Sequence, residues 1–319
     1  MRILLVGFGA IGRRHAEILL SRPGFEIAAL RSGLGNSELN PRIRRLVGWS
    51  EVTSFSPEAV FICNPTDQHV GTAARFIDAD CAIFIEKPIG AGLAGLDSLL
   101  TRVGETGTVT YVAYNLRFHP VVEYLKEAAR DLGLCHYRSE CTSYLPSWRP
   151  GVNHLEHYSA ISARGGGVIL ELSHEVDLAD HLMDGLTTLR GRSSRLAGVT
   201  HDAEDYSDME FEAGKGPGSI HINFFSHAPR RRIVMDFTNV TFSGDLLSGR
   251  VSRFAKGKSL DVISFDVARN TTYERQLDYF LANLKNPQMQ NNLVEAAHLF
   301  RKIMAVRESG TGESRNQQY

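Results

Sequence analysis

A glycine-rich turn lies near the start of the chain. Gly7, Gly9 and Gly12 form a G-x-G-x-x-G pattern between the apolar run 2–6 and a helical pattern. In such a unit the first glycine permits the turn, the second lets a pyrophosphate approach the backbone, and the third packs the helix on the strand. The alternative is a glycine turn that binds nothing, and the surrounding strand and helix argue against it. The predicted dinucleotide contacts are Gly7, Phe8, Gly9, Ala10, Ile11 and Gly12.

The end of the second apolar run bears on which dinucleotide is bound. Sites for NAD usually have an acid about 20 residues after the glycines, which accepts a hydrogen bond from the ribose 2′-hydroxyl. This chain has Arg31 and Ser32 instead, and Arg31 follows Gly12 by 19 residues. An arginine and a hydroxyl suit a 2′-phosphate, so the sequence predicts NADP(H) in preference to NAD(H). The alternative is a solvated arginine, with NAD(H) as the cofactor.

Two more turns follow apolar runs of strand length. The turn N-P-T-D-Q-H begins at Asn64, and the turn E-K-P begins at Glu86. Both should lie at the carboxyl edge of a sheet, where open α/β folds bind ligands. Lys87 could bond a ribose or substrate hydroxyl and move a proton if its pKa were lowered by burial and a cationic neighbour; the alternative is a surface charge. The predicted cofactor contacts here are Asn64, Pro65, Thr66, His69, Glu86 and Lys87.

A segment beginning at residue 144 is dense in side chains that recognise sugars and anions. Arginine binds carboxylate or phosphate with two hydrogen bonds, and tryptophan and tyrosine stack on sugar faces. Two further candidates stand near the predicted domain junction. The predicted substrate contacts are Arg117, His119, Tyr144, Trp148, Arg149 and Tyr158. The alternative is a loop that is packed by its own aromatic side chains.

The elements that must position these residues change character near residue 120. Before it, apolar runs alternate with helical patterns, which predicts a parallel sheet with helices on both faces. From about 187 to 265 the hydrophobic residues alternate, which predicts an antiparallel sheet, and two helices close the chain. The fold class is therefore α/β. The predicted domains are a dinucleotide-binding domain at 1–118 and a substrate domain at 119–319, with the chemistry in the cleft between them.

The composition limits the class of protein. The 319 residues, 43% of them hydrophobic, suffice for two domains with buried cores. Lys and Arg number 35 against 36 Asp and Glu, so no excess positive charge favours a nucleic-acid partner. No stretch approaches the roughly 20 apolar residues of a membrane span. Four cysteines without CxxC spacing predict buried thiols in a reducing compartment, so we expect a cytoplasmic protein.

The motifs together resemble those of a known family. GFGAIGRRH, NPTDQH and EKP, followed by YNLRFHP at 114–120 and GGGVILELSHEVDLADHL at 165–182, resemble the Gfo/Idh/MocA family of dinucleotide-dependent oxidoreductases. The resemblance spans nearly the whole chain. It implies an N-terminal Rossmann domain with a doubly wound parallel sheet, then an α/β domain with an open, mainly antiparallel sheet. In the family that second sheet often forms an oligomer interface, which implies a homodimer or homotetramer.

The same resemblance implies roles for particular side chains. Lys87 matches the catalytic lysine, and His174 matches an active-site histidine that acts as an acid or base or binds the substrate hydroxyl. Asp177 matches an acidic position that commonly contacts substrate. Many members have an aspartate four residues before this histidine, whereas here the nearest acid is Glu171, three residues before it. The role of Glu171 is therefore open, and the alternative for His174 is a structural helix histidine.

Three side chains of one predicted helix could in principle bind a metal ion. His174, Asp177 and His181 could share one helix face, but H-E-V-D-L is not the H-E-x-x-H pattern. We therefore predict no metal.

The function expected from these patterns is hydride transfer. The sequence predicts an NADP(H)-dependent oxidoreductase acting on a sugar-derived alcohol or ketone, with an acidic or nucleotide-linked sugar among the candidates. SYLPSWRP with the glycine triplet also resembles a subgroup of bacterial nonulosonic-acid and other surface-sugar pathways. One alternative is an enzyme that recycles a tightly bound NAD(P) during sugar elimination or glycoside cleavage. Another is a catalytically silent regulator that binds a dinucleotide.

Overall fold

The computed structural model describes residues 1–31, 39–130, 132–257 and 260–310, so Ser32 of the predicted cofactor site lies outside the described residues. Met1–Tyr114 and Tyr273–His298 form one compact unit. The second unit comprises Asn115–Thr272 and the described chain from Leu299. The division into domains at residue 118 and a cleft between them stay predictions.

A parallel sheet forms the centre of the first unit. Its strands, within the described residues, are β1 (Arg2–Val6), β2 (Glu26–Leu30), β3 (Ile43–Leu46), β4 (Ala59–Ile62), β5 (Ala82–Ile85) and β6 (Thr110–Val112). Their order is β3-β2-β1-β4-β5-β6, and each pairing is parallel. This is the order of doubly wound dinucleotide-binding sheets, which reverses direction between β1 and β4. The predicted fold of this part of the chain is confirmed.

The strand that the sequence did not predict is β3, at the edge of the sheet. Ile43 and Leu46 are buried, but Arg44 and Arg45 between them are exposed. Exposed charges are common on edge strands because they discourage pairing with other chains. They also break the apolar run on which the strand predictions rest.

Helices cover the sheet, and aromatic side chains fill the space between. The first four are α1 (Ala10–Leu20), α2 (Trp49–Phe55), α3 (His69–Ala73) and α4 (Leu96–Thr106). Phe61 of β4 stacks on Phe84 of β5 with ring centroids 4.5 Å apart. Phe280 from a later helix packs edge-on against both rings, at 5.6 and 5.3 Å. This C-terminal segment therefore completes the core of the first unit.

An antiparallel sheet dominates the second unit. Its strands, in the part of the chain that is described, are β7 (Leu134–Tyr144), β8 (Leu186–Ser194), β9 (Tyr206–Ala213), β10 (Gly216–Asn223), β11 (Phe225–Phe237), β12 (Val240–Asp245), β13 (Arg250–Ala255) and β14 (Asp261–Ser264). Their order is β14-β13-β12-β11-β7-β10-β9-β8. Neighbours are antiparallel except β7 and β10, which run parallel. The predicted α/β class with a mainly antiparallel second sheet is confirmed.

Five further α-helices lie in the described part of the chain. They are α5 (Pro120–Ala128), α6 (Val168–Glu171), α7 (His174–Leu182), α8 (Thr271–Ala282) and α9 (Leu293–Gly310). Among the described helices none has the length and apolar content needed to cross a bilayer. Cys63, Cys81 and Cys141 are buried, as predicted, but Cys135 is exposed, because it lies at the end of β7 where the pairing with β11 shifts register.

Helix α7 contains a histidine whose protonation opposes folding. Burial, and then the charges of Arg117, Lys126 and Lys215, lower the pKa of His181 to about 3. The Lys126 Nζ donates to the backbone oxygen of His181 at 2.8 Å and lies 3.2 Å from its Nδ1. An unfolded histidine has a pKa of about 6.5, so below that pH the unfolded state binds a proton that the native state does not.

Stability should therefore fall as the pH drops from 6.5 towards 3. We expect His181 to account for about 1–2 kcal/mol of the loss between pH 6.5 and 5. The measurement is urea unfolding at both pH values for the wild type and for His181→Gln, which keeps an acceptor for Lys126. His201→Gln, at an exposed position, is the control and should show the wild-type loss. An equal loss in all three proteins would contradict the prediction.

Candidate functional site

The glycine turn is shaped by a close approach of backbone segments. Gly7 has φ +92°, and a Cβ there would lie 2.5 Å from the backbone nitrogen of Asn64. A Cβ on Gly12 would collide with the carbonyl oxygen of Gly7. The first glycine is thus required by its conformation and by its neighbour, and the third by the packing of α1 against the turn.

Gly9 differs from Gly7 and Gly12, because open space surrounds the position where its Cβ would lie. A Cβ at this position would meet no heavy atom within 4 Å. Gly9 is also the residue before α1, and no side chain caps the helix there. A helix start has N–H groups without intrahelical partners and a positive dipole end, both of which favour an anion. An open backbone surface at an uncapped helix start fits the pyrophosphate of a dinucleotide.

The predicted 2′-phosphate residue lies beside this turn. Arg31 directly follows β2, and the Gly7 N–H donates to the carbonyl of Leu30 at 3.1 Å. The Arg31 guanidinium carbon is 5.9 Å from the centre of the Phe8 ring, within the range of a cation–π contact. The structure therefore brings Arg31 and the glycine turn together.

The turn after β4 is connected to the turn after β5 through a buried histidine. The Nε2 of His69 is 2.9 Å from the carbonyl oxygen of Asn64, and its Nδ1 is 2.8 Å from that of Pro88. Burial is the main cause of the lowered pKa of His69. A neutral ring has one N–H, so it donates to one carbonyl at a time. His69, predicted as a cofactor contact, is buried between the two turns and donates to one of the two carbonyls. Pro65 is exposed and Thr66 is buried.

A second buried histidine, His15, was missed by the sequence reasoning. It is 0% exposed, and its Nε2 lies 2.6 Å from Oε1 of Glu86, which is 8% exposed. Phe61 and Phe84 surround the ring, with centroids 5.5 and 5.1 Å away. A polar side chain on the apolar face of a helix needs a polar partner when it is buried. The position of His15 on that face is the feature of the sequence that could have indicated such a partner. His15 stands on this face with Gly12, Ala16 and Leu19.

The position of Lys87 follows from these two histidines. His15 binds the residue before Lys87, and His69 binds the carbonyl of the residue after it. The half-buried Lys87 therefore belongs to a turn that is held on both sides from within the first unit. A catalytic lysine needs such a fixed backbone, because small displacements of a reacting group are costly.

In the second unit, two predicted substrate contacts bind each other. The Nε of Arg117 donates to both carboxylate oxygens of Asp177 at 3.1 and 3.0 Å, and Nη2 donates to Oδ1 at 2.7 Å. Both side chains are buried. His119 is buried as well, and its Nδ1 accepts the N–H of Val121 at 3.2 Å, which caps α5. These side chains therefore have internal partners and are placed to position other groups.

His174 is the first residue of α7 and is half-buried. Two ion pairs anchor the same helix turn. One joins Asp177 to Arg117, and the other joins the fully buried Glu175 to Arg231, with Nη2 2.6 Å from Oε1. Arg231 lies within β11, and it therefore reaches the helix from the sheet. These pairs fix the start of α7 and with it the backbone of His174.

The grouping considered for a metal has cationic neighbours. Asp177 faces Arg117, and His181 faces Lys126. Among the described residues no group of three His, Cys, Asp or Glu side chains could hold a metal ion.

The aromatic segment after β7 forms a partly packed loop. Trp148 is 39% exposed and meets Phe224 edge-on with centroids 5.1 Å apart, and the ring of Tyr144 lies 4.0 Å from that of His227. The guanidinium carbon of Arg149 is 5.5 Å from the centre of the Tyr158 ring. Burial, and then the charge of Glu171, raise the pKa of Tyr158. The structure thus brings Arg149 and Tyr158 together.

Comparison with known proteins agrees with this geometry. Residues 1–114 match the Gfo/Idh/MocA family, described as an oxidoreductase family with an NAD-binding Rossmann fold. The chain is 25% identical over 309 residues to scyllo-inositol 2-dehydrogenase (NAD(+)) of Bacillus subtilis, covering 90% of this chain and 86% of the relative.

Two solved structures show the same fold along the chain. UDP-N-acetylglucosamine 3-dehydrogenase of Acidithiobacillus ferrooxidans has a TM-score of 0.80 at 19% identity, over 97% of both chains. Levoglucosan dehydrogenase in complex with NADH has a TM-score of 0.82 at 14% identity, over 98% of this chain and 97% of the other. Residues 1–114 of this chain are therefore similar to the Gfo/Idh/MocA family of oxidoreductases. The predicted resemblance to this family and the predicted oxidoreductase class are confirmed.

The pair of His15 and Glu86 gives a testable prediction of stability. Replacing His15 by Phe keeps an aromatic ring in the core but leaves the carboxylate of Glu86 buried without its partner. Leaving a buried hydrogen-bonding group without its partner costs about 1–3 kcal/mol, and more when the group is charged, whereas removing both partners costs much less. We expect His15→Phe to lower the free energy of urea unfolding by about that amount, and Glu86→Gln added to it to restore part of the loss. Additive losses in the double variant would contradict the coupling.

Proposed function

We propose that this protein is an NADP(H)-dependent oxidoreductase that transfers a hydride to or from a sugar-derived alcohol or ketone. The observation that carries the proposal is the open backbone at Gly9, at the uncapped start of α1, with Arg31 beside the same turn. The backbone surface suits a pyrophosphate, and the arginine suits a 2′-phosphate. The match of residues 1–114 to the family supports the use of a nicotinamide dinucleotide.

The cofactor would be held by residues of the first unit. The glycine turn from Gly7 to Gly12 would bind the pyrophosphate, and Arg31 with Ser32 the 2′-phosphate. The turns that begin at Asn64 and Glu86 follow adjacent strands at the carboxyl edge of the sheet, where further cofactor contacts are expected. When bound, the nicotinamide supplies or accepts the hydride.

The chain's own chemistry is transfer of the hydroxyl proton. During oxidation of an alcohol the carbon loses a hydride and the oxygen loses a proton, and we assign that proton to Lys87, with His174 as a second acid or base. In the reverse direction the same groups return the proton to the oxygen. Arg117, His119, Asp177, His69 and Glu86 act as positioning residues, because their side chains have the internal partners described above.

The substrate class is supported by the named relatives. They are dehydrogenases of inositol, of UDP-N-acetylglucosamine and of levoglucosan, which all present ring hydroxyl groups. Tyr144, Trp148, Arg149 and Tyr158 are the proposed substrate contacts. A homodimer or homotetramer through the sheet of the second unit and a cytoplasmic location complete the proposal.

The cofactor preference is tested by fluorescence titration of the purified protein with NADPH and NADH. We expect NADPH to bind at least about 10-fold more tightly, since a fixed charge–phosphate contact contributes about 1.5–3 kcal/mol. Arg31→Ala should weaken NADPH by a similar factor and leave NADH unchanged. Arg2→Ala is the matched control, because Arg2 begins β1 and the glycine turn follows the other end of that strand.

The outcomes of this titration separate the alternatives. Equal affinities for the two cofactors would remove the NADP preference and leave an NAD enzyme. Binding of neither would overturn the proposal in favour of a catalytically silent protein. A dinucleotide that stays bound through purification, with sugar turnover but no net change in nicotinamide absorbance, would indicate recycling of the cofactor.

The role of Lys87 gives a separate prediction. With myo-inositol, scyllo-inositol, UDP-N-acetylglucosamine and levoglucosan as the substrate panel, Lys87→Met should lower turnover about 10²–10⁴-fold, the range for loss of a general acid or base. NADPH affinity should fall far less than turnover. Lys256→Met, at an exposed position, is the matched control. A fully active Lys87→Met variant would refute the assignment.

A further inference from the structure

A small pocket lies in the loop after β7, entirely within the second unit. Its polar side chains are those of Arg149, His154, His157 and Ser159, all from one stretch of chain. Three apolar side chains, Leu145, Trp148 and Val152, complete the lining. The geometry of this pocket determines which chemical groups it can accept.

The tautomer of His157 is determined by the backbone N–H of Ser159. Its Nδ1 accepts the N–H of Ser159 at 3.2 Å and caps the short turn Tyr158–Ala160. A ring nitrogen that accepts an N–H carries no proton, so in the neutral ring the proton is on Nε2. His157 therefore offers a donor from Nε2 and keeps its acceptor for the backbone.

The positive charge of the pocket comes from Arg149. Burial, followed by the charges of Arg149 and Arg164, lowers the pKa of His157 to about 4, so the ring is neutral at pH 7. The guanidinium of Arg149 stays charged at this pH and lies 5.5 Å from the ring centre of Tyr158. An aromatic face restrains an arginine that would otherwise be mobile, which lowers the entropic cost of binding.

No carboxylate belongs to the lining of the pocket in the described part of the chain. The nearest acid in the sequence of the loop, Glu156, is exposed and accepts a hydrogen bond from Asn153 at 2.8 Å. No carboxylate of the lining faces Arg149, and Glu171, whose charge acts on the neighbouring Tyr158, lies outside the lining. The pocket presents N–H donors from Arg149 and His157. The complementary ligand group has several acceptor oxygens and a negative charge.

We propose that this pocket binds a carboxylate or phosphate carried by the sugar substrate, with Arg149 and the Nε2–H of His157 as donors. The half-exposed ring of Trp148 lies at the pocket and offers an apolar face to the sugar. The assignment rests on the proposed function and narrows its substrate to anionic sugars. His154 and Ser159 complete the polar lining.

The test uses the fluorescence of Trp148. The chain has two tryptophans, so Trp49→Phe leaves Trp148 as the sole tryptophan reporter. This variant is titrated with glucose, glucuronate and glucose 6-phosphate, which share a ring and differ in the group at one carbon. We expect at least one of the anionic sugars to bind 10-fold or more tightly than glucose. The stronger of the two distinguishes a carboxylate site from a phosphate site.

Two variants identify the donors. Arg149→Gln should weaken binding of the anionic sugar at least 10-fold and binding of glucose far less. His157→Phe should weaken binding of the anionic sugar several-fold. Arg164→Gln, which removes an exposed nearby charge outside the pocket lining, is the matched control and should change the affinity less than 2-fold. Circular dichroism checks the fold of His157→Phe, and Arg149→Gln carries the test if that variant does not fold.

Three results would overturn the inference. They are equal binding of glucose and both anions, no binding of any of the three sugars, and an Arg149→Gln variant with wild-type affinity for the anion. NADPH titration of the same proteins keeps the two proposals apart. If NADPH binds and the anion does not, the pocket assignment alone fails. If NADPH does not bind, the proposed function fails.

Discussion

The contact between the carboxyl ends of β1 and β4 is the constraint on which the first unit depends. The backbone at Gly7 passes so close to Asn64 that no side chain fits between them, and α1 packs on the same turn through Gly12. This close packing fixes where α1 begins and which way its second turn faces. His15 therefore reaches Glu86, and Glu86 lies next to Lys87. A backbone contact at the glycine turn thus determines the position of a side chain in another turn of the sheet edge.

The second unit uses buried charge where the first uses backbone contact. Helix α7 has two buried acids, and each meets an arginine from a different element. Burying such charges gains little net stability, because desolvation offsets most of the attraction. A mispaired arrangement, in contrast, would leave a charge buried alone at a cost of several kcal/mol. The pairs therefore serve mainly to select one orientation of α7, and His174 at its first residue is fixed by that selection.

The sequence predicted what depends on neighbours along the chain. Five strands of the parallel sheet, among the described residues, fall within the apolar runs of strand length at 2–6, 25–30, 59–63, 81–85 and 108–113. The glycine turn also lies at the start of a helix, as its spacing predicted. The parallel pairing of β7 with β10 was not predicted, because alternating hydrophobicity does not specify which strands become neighbours. Arg117 and Asp177 have types typical of ligand contacts, and only the tertiary structure shows that they bind each other. For His15, the apolar helix face indicates that a polar partner is needed, but the sequence does not show that this partner is Glu86, 71 residues away.

Cofactor binding and substrate recognition therefore depend on different kinds of groups, backbone in the first unit and side chains in the second. Cofactor binding in the first unit rests largely on backbone groups, whose placement tolerates many sequences, and the family match covers this part of the chain, residues 1–114. Substrate recognition is argued from side chains of the loop after β7, outside that match. At 25% identity, a relative's substrate cannot be transferred through these side chains. The charge of Arg149 and the donor of His157 do constrain the ligand, because a neutral sugar gives a restrained guanidinium no compensating charge.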